Sequence, residues 1–232
     1  MRRLRHHFSE RRINPETGRK KRYFKTIKFF HAGEYGSADN TQRPHYHACI
    51  FGVDFPDRQL WKVRDDIRID TSDTLDRIWG KGYTTVGDVT FASAAYVARY
   101  IMKKVNGDAE DLPDPQSGLR PYERISFETG EIYQVEKEYC LMSRRPGIGS
   151  TWFRAYADDV YPDDTVIVKG RETRPPRFYD NLFEITDPEG MVQIKEAREK
   201  KMRAHRSDNT PERLIAREKV KKAQIGMLKR EL

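Results

Sequence analysis

Two stretches of aromatic and β-branched residues constrain the fold most: Arg22-Tyr23-Phe24-Lys25-Thr26-Ile27-Lys28-Phe29-Phe30 and His45-Tyr46-His47-Ala48-Cys49-Ile50-Phe51. Side chains of this kind crowd a helix and pack well on a pleated surface, so each stretch reads as a strand. The first runs into Gly33-Glu34-Tyr35-Gly36 and a polar loop from Ser37 to Pro44, and Gly52 ends the second. The pair is expected to form a hairpin with a long loop. Residues 58–80 are expected to be helical, with Ser72 or Asp73 as N-cap and Gly80 closing the helix after Trp79. A strand is expected at residues 83–86, a helix over Phe91–Val105, and a flexible Gly/Pro/Asp loop over residues 106–121. A hairpin follows around Glu128-Thr129-Gly130, then a short helix from Trp152 to Val160 and a last strand from Thr165 to Lys169. Beyond Arg174-Pro175-Pro176 the chain reads as charged helices. Antiparallel strands beside separate helices make the fold class α+β. The expected division is a domain over 1–185, with an insertion loop at about 106–121, and a charged helical tail over 186–232.

The chain has 232 residues, 37% of them hydrophobic and 11% aromatic, which is too apolar for a disordered chain and long enough for a sizeable core. No apolar run approaches the roughly 18–20 residues that span a bilayer. The opening MRRLRHHFSERR is basic but has no apolar stretch behind it, so no secretion signal is read there and no membrane partner is expected. Two cysteines, Cys49 and Cys140, make neither a disulfide framework nor a zinc cluster, which fits a reducing cytoplasm. The formal net charge is +8, but it is unevenly spread: residues 1–30 carry eleven Lys/Arg and two Glu, and residues 191–232 carry thirteen Lys/Arg and six Asp/Glu. The middle, 31–190, is therefore net acidic. Basic flanks around an acidic centre suit a protein that grips a polyanion at its edges and holds a cation at its heart. Solvated Lys-rich ends give the same composition.

His45 and His47 are two apart on a strand, so both imidazoles project to one face and Tyr46 to the other. Two imidazoles on one face can share a divalent metal, and Glu34, across the hairpin, can supply a carboxylate as third ligand. Such a set leaves coordination positions open, as a catalytic metal requires. On the helix over 91–105, about 100° per residue groups Ala94, Val97, Ala98, Ile101 and Val105 on one face. Tyr96 and Tyr100 are expected on the opposite face with Lys103, flanked by Arg99 and Lys104. Two phenols on a cationic face read as presented to an anion. A phenol can attack a phosphodiester to form a phosphotyrosine, with Lys103 or Lys104 helping to neutralise the phosphate. Packing on a second element or stacking on bases is the competing account of the same tyrosines.

The chain resembles the HUH endonucleases, whose core motif is two histidines around a bulky residue, and more narrowly the replication initiators of gokushovirus-type microviruses, small single-stranded DNA bacteriophages. The resemblance rests on Gly33-Glu34-Tyr35-Gly36, on Arg43-Pro44-His45-Tyr46-His47-Ala48-Cys49-Ile50-Phe51-Gly52 and on Tyr96-Val97-Ala98-Arg99-Tyr100-Ile101-Met102-Lys103-Lys104. Ser143-Arg144-Arg145-Pro146-Gly147-Ile148-Gly149 and Pro175-Pro176-Arg177-Phe178-Tyr179 extend it to about Asn181. It implies a central antiparallel sheet flanked by helices, and rolling-circle replication: nicking of one strand, a covalent link to the new 5′ end, and a 3′ hydroxyl left as primer. It also implies that His45 and His47 are metal ligands and that Tyr96 and Tyr100 are alternating nucleophiles. The family carries an apolar strand upstream of the matched region. This sequence has none before Tyr23, so the sheet is expected to lack that strand.

Three functions stay open on the residues. The first is a tyrosine-dependent nickase and rejoiner of single-stranded DNA at a viral origin, using Mg²⁺ or Mn²⁺ and working with the host replication machinery in the cytoplasm of a bacterial host. The second is a non-catalytic basic protein that binds single-stranded nucleic acid, with phosphate contacts from residues such as Arg144 and Arg145. The third is metal-dependent hydrolysis by an activated water.

Overall fold

The structure is a computed structural model describing residues 1–35, 43–64, 66–99 and 104–227, and it forms two compact units, Met1–Gly147 and Ile148–Leu232. The first unit opens with a short helix, α1 (Arg2–His7), and a two-stranded ribbon, β1 (Ser9–Ile13) with β2 (Lys20–Phe24). Two long strands follow, β3 (Lys28–Tyr35) and β4 (Pro44–Phe51), which pair antiparallel as the hairpin read from the sequence. The stretch from Arg22 to Phe30, expected to be one strand, is two. It breaks at Lys25-Thr26-Ile27, where Ile27 turns inward to pack with Leu4 and Phe55.

Residues 58–71 are not helical. They form a hairpin, β5 (Gln59–Arg64) with β6 (Ile67–Thr71), and only Asp73–Trp79 is helical, as α2. The caps fall where expected: Ser72 Oγ accepts from Leu75 N, and Gly80 adopts a left-handed φ of 61°. Residues 83–86 form no strand, only a bridge from Val86 to Asp70. Next come α3 (Phe91–Arg99), a small hairpin of β7 (Glu123–Ile125) and β8 (Ile132–Gln134), and β9 (Tyr139–Met142). Strand β9 adds to the far side of β3, giving a three-stranded antiparallel sheet in the order β4-β3-β9. In that sheet β3 is bordered by β4 and β9, and β1–β2 forms a separate ribbon.

The register sorts the sheet into two faces. Phe30, Ala32 and Glu34 of β3 stand opposite Cys49, His47 and His45 of β4, with Cys140 of β9 beside Ala32. Helix α3 covers this face: Tyr96 and Val97 are buried with Ala32 and Cys49, and Phe30, Phe51, Ala94 and Cys140 close around them. The other face carries Tyr139 over Gly33, a position where an added Cβ would lie 2.6 Å from the tyrosine ring.

The second unit contains α4 (Ser150–Val160), a hairpin of β10 (Val166–Val168) and β11 (Arg171–Thr173), and three further helices. These are α5 (Arg177–Thr186), α6 (Pro188–Ala204) and α7 (Pro211–Gly226). Phe153, Val160, Tyr161, Met191 and Ile194 form its core. Above the core, Tyr161 donates to Asp180 at 2.6 Å and Arg198 bridges Asp180 and Asp164. With seven α-helices among the described residues and small antiparallel sheets, the fold is α+β. No helix is long and apolar enough to cross a membrane.

Candidate functional site

The period of two along β4 brings His45 and His47 to the α3-covered face and sends Tyr46 to the other, where its ring meets Trp79 at 5.2 Å. Glu34 stands directly opposite His45 and diagonal to His47, a spacing that long side chains can bridge. His47 Nε2–H donates to Glu34 Oε1 at 3.1 Å. The Glu34 side chain is nearly enclosed, with 6% of its surface exposed, and His47 is half-buried. His45 is exposed. The three are of the right chemical type for a divalent cation and lie on one face. As they stand, however, His45 keeps apart from the Glu34–His47 pair, and among the described residues no three His, Cys, Asp or Glu side chains are gathered closely enough to hold a metal ion.

Tyr96 does not sit on an outward cationic face. It is 8% exposed and belongs to the core cluster, whereas Ala98, expected on the apolar stripe, is exposed. The side of α3 that meets the sheet is the one bearing Tyr96 and Val97. This burial brings the ring edge-on to the His47 imidazole, with centroids 5.8 Å apart, and the Arg99 guanidinium lies 5.6 Å from the same ring. The histidine, the carboxylate and the phenol ring therefore form one continuous row. Tyr100 and Lys103 lie outside the described residues.

Lys104, the next described residue, is half-buried. Val105 N donates to the Tyr122 hydroxyl at 2.9 Å, and that hydroxyl donates to Glu138 at 2.8 Å. Burial, together with the Glu138 carboxylate, pushes the Tyr122 phenol up to about 12, so it stays a neutral donor that anchors the chain just after Lys104. Sequence reasoning missed this anchor. Tyr122 lies in a Gly- and Pro-rich stretch with no periodicity to mark it as buried.

Arg144 and Arg145 are exposed and lie at the other end of the sheet. They follow Ser143, whose N donates to the carbonyl of Phe29, while Phe29 N donates to the Ser143 hydroxyl at 3.1 Å. Lys28 Nζ holds the same turn through the Pro146 carbonyl at 2.7 Å. Five residues of β3 separate Phe29 from Glu34, about 17 Å at strand rise. The structure brings Glu34, His47 and Tyr96 together and leaves this arginine pair apart from them.

Comparison with known proteins points one way. The family of the replication-associated protein ORF2 matches residues 1–105, the segment that carries β3, β4 and α3. The chain is 32% identical over 183 residues to Replication-associated protein ORF2 of Spiroplasma virus 4, covering 75% of this chain and 49% of that protein. It is 27% identical over 184 residues to Replication-associated protein VP4 of Bdellovibrio phage phiMH2K, covering 77% and 51%. It is 40% identical over 167 residues to Replication-associated protein ORF4 of Chlamydia phage 1, covering 69% and 36%. The chain thus spans about half the length or less of these curated relatives. No solved structure matches it.

Proposed function

We propose that this chain, a relative of the replication-associated proteins of bacteriophages, initiates rolling-circle replication by nicking and rejoining single-stranded DNA through a covalent 5′-phosphotyrosine. The observation that carries the reading is the row of Glu34, His47 and Tyr96 on the α3-covered face of the β4-β3-β9 sheet. In this reading that sheet is the central sheet of an HUH-type endonuclease. His45, His47 and Glu34 are the ligand set for Mg²⁺ or Mn²⁺, and Tyr96 and Tyr100 are the nucleophiles. When bound there, such an ion polarises the scissile phosphate and offsets charge in the transition state.

The chain's own groups do the rest. An oxygen of Tyr96 or Tyr100 bonds to phosphorus while the bond from phosphorus to the 3′ oxygen breaks. The phenolic proton leaves to solvent, and the departing oxygen takes one up to become the 3′ hydroxyl. Attack by a 3′ hydroxyl on the phosphotyrosine reverses the step and frees the tyrosine. Lys103 and Lys104 follow closely after Tyr100 in sequence and lessen the charge on the phosphate, and Arg99, Arg144 and Arg145 contact the strand. Host replication proteins then extend the 3′ hydroxyl.

The test is cleavage of end-labelled single-stranded DNA from the cognate viral genome with Mn²⁺, read on denaturing gels for wild type, Tyr96→Phe, Tyr100→Phe and the double variant. A protein-linked DNA band that EDTA and the double variant abolish is the expected result. Cut DNA with no protein attached would move the assignment to hydrolysis by water. The exposed position of His45, apart from Glu34 and His47, favours a second reading, non-catalytic binding of single-stranded nucleic acid. It predicts salt-sensitive binding, no cut strand, and no loss of binding in the double Phe variant.

A further inference from the structure

The β1–β2 ribbon is not accounted for by the fold or by the chemistry above. Both strands are almost wholly exposed, and residues 9–24 carry six Lys/Arg against two Glu. The register sets Arg11 directly opposite Arg22, and Arg12 opposite Lys21. Like charges facing each other across a ladder weaken it, and a two-stranded ribbon is marginal to begin with. Relief is partial: Arg12 Nε donates to Glu10 at 2.8 Å and Arg22 contacts His6. Among the described residues Arg11, Arg19, Lys20 and Lys21 have no ion-pair partner. The turn is nonetheless well defined, with Asn14 Oδ1 accepting from Glu16 N at 2.8 Å and Gly18 at φ 64°. Such a ribbon concentrates cations that the chain itself does not neutralise.

We infer that β1–β2 is an arm that grips duplex DNA by its phosphates. The charge is complementary to a polyanion, and its layout selects the duplex form. Arg11, Arg22 and Lys20 point to one face, Arg12 and Lys21 to the other, and Arg19 sits at the turn. A single strand offers one line of phosphates, whereas a groove of duplex DNA offers two walls, and the major groove, about 12 Å wide, admits a two-stranded ribbon. Five residue pairs make the arm about 17 Å long. The inference rests on the reading that the chain acts on DNA, but not on the tyrosine chemistry.

The test is fluorescence anisotropy of the full chain with a labelled 30-base-pair duplex and with a single strand of the same length, across a salt series, in parallel with the cleavage assay. For Arg11→Gln/Arg19→Gln/Lys20→Gln, duplex affinity is expected to fall at least tenfold near 100 mM salt. The slope of log affinity against log salt is expected to fall by about 2–3, roughly 0.9 per lost phosphate contact. Single-strand affinity and cleavage are expected to stay within twofold. Equal losses on both DNA forms, an unchanged duplex slope, or a wild-type chain that does not bind duplex would each overturn the inference. Arg19→Glu lies in the turn, outside both strands, and is expected to weaken duplex binding severalfold with the melting temperature unchanged. No effect there also overturns it. Duplex binding of this kind without a covalent product sinks the tyrosine reading alone, and covalent cleavage with an unchanged duplex slope sinks the arm alone.

Discussion

The residues that shape the sheet differ in how much substitution they can absorb. Gly52 ends β4 at φ 92°, and a Cβ there would lie 2.7 Å from the backbone oxygen of Thr26, the segment where the chain turns between β2 and β3. Neither the left-handed backbone nor the backbone contact can yield. Gly52→Ala should therefore cost about 1–3 kcal/mol of stability in denaturant titrations. Gly33→Ala meets only the ring of Tyr139, a 40% exposed side chain that can rotate away, so its cost should be the smaller of the two. Equal costs would mean that Tyr139 is held more rigidly than its exposure implies. At the proposed ligands the readout is binding rather than fold. Mn²⁺ at about a hundred times its dissociation constant stabilises a protein that binds it only when folded by about 2.7 kcal/mol. Thermal melts should show a rise of that order in wild type and none in His45→Ala/His47→Ala. A rise that survives the double substitution would place the ion elsewhere. The histidine pair was legible from sequence because a period of two fixes its face whatever else the chain does. The burial of Tyr96 was not legible, because which side of a short helix meets the sheet is decided by the sheet.

The elements themselves were legible where local chemistry is strong. Ser72 and Gly80 bracket α2 as a cap pair should, and Glu128-Thr129-Gly130 turns the β7–β8 hairpin with Gly130 at φ 72°. Legibility failed where two periods compete. Residues 59–71 carry enough Leu, Trp, Ile and Arg to pass for a helix, yet Val63 and Arg64 of β5 pair with Arg68 and Ile67 of β6 across a tight turn at Asp66, φ 62°. The buried Asp70, held by Arg58 and Arg68, then fixes that hairpin against the bridge to Val86. The β1–β2 ribbon was invisible for the opposite reason: it buries almost nothing, so no apolar pattern marks it. Helix α2 also carries a pH dependence. The Asp57 carboxylate accepts from the Ser72 hydroxyl at 2.7 Å and from Thr74 N at 2.8 Å, and these bonds hold it down to about 2 from an ordinary 3.8. The folded state thus favours the ionised form. Its contribution is full above about pH 4 and disappears as pH falls toward 2. Acid titration of stability should lose that component in Asp57→Asn, while Ser72→Ala should cost about 1 kcal/mol at neutral pH through the lost cap. An acid limb unchanged by Asp57→Asn would show that other carboxylates govern it.

At the scale of the whole molecule, charge and chemistry occupy different parts of the chain. The net charge is +9 over residues 1–30, −8 over 31–190 and +7 over 191–232, and the acidic middle holds Glu34, His45, His47 and Tyr96. Exposed cations act on DNA through released counterions, an effect that falls steeply with salt. Groups enclosed on the α3-covered face are far less screened. Binding and bond cleavage should therefore respond differently to ionic strength. Raising salt from about 50 to about 200 mM multiplies the salt concentration fourfold, so three or four phosphate contacts should lower DNA affinity at least tenfold. The single-turnover cleavage rate at saturating protein should change by less than about threefold over the same range, because the nucleophile and its histidine neighbour meet the phosphate out of bulk solvent. A cleavage rate that fell in step with affinity, even at saturation, would mean that exposed cations such as those flanking the tyrosines take part in the transition state itself. The chemistry would then belong to the basic surface as much as to the enclosed row of Glu34, His47 and Tyr96.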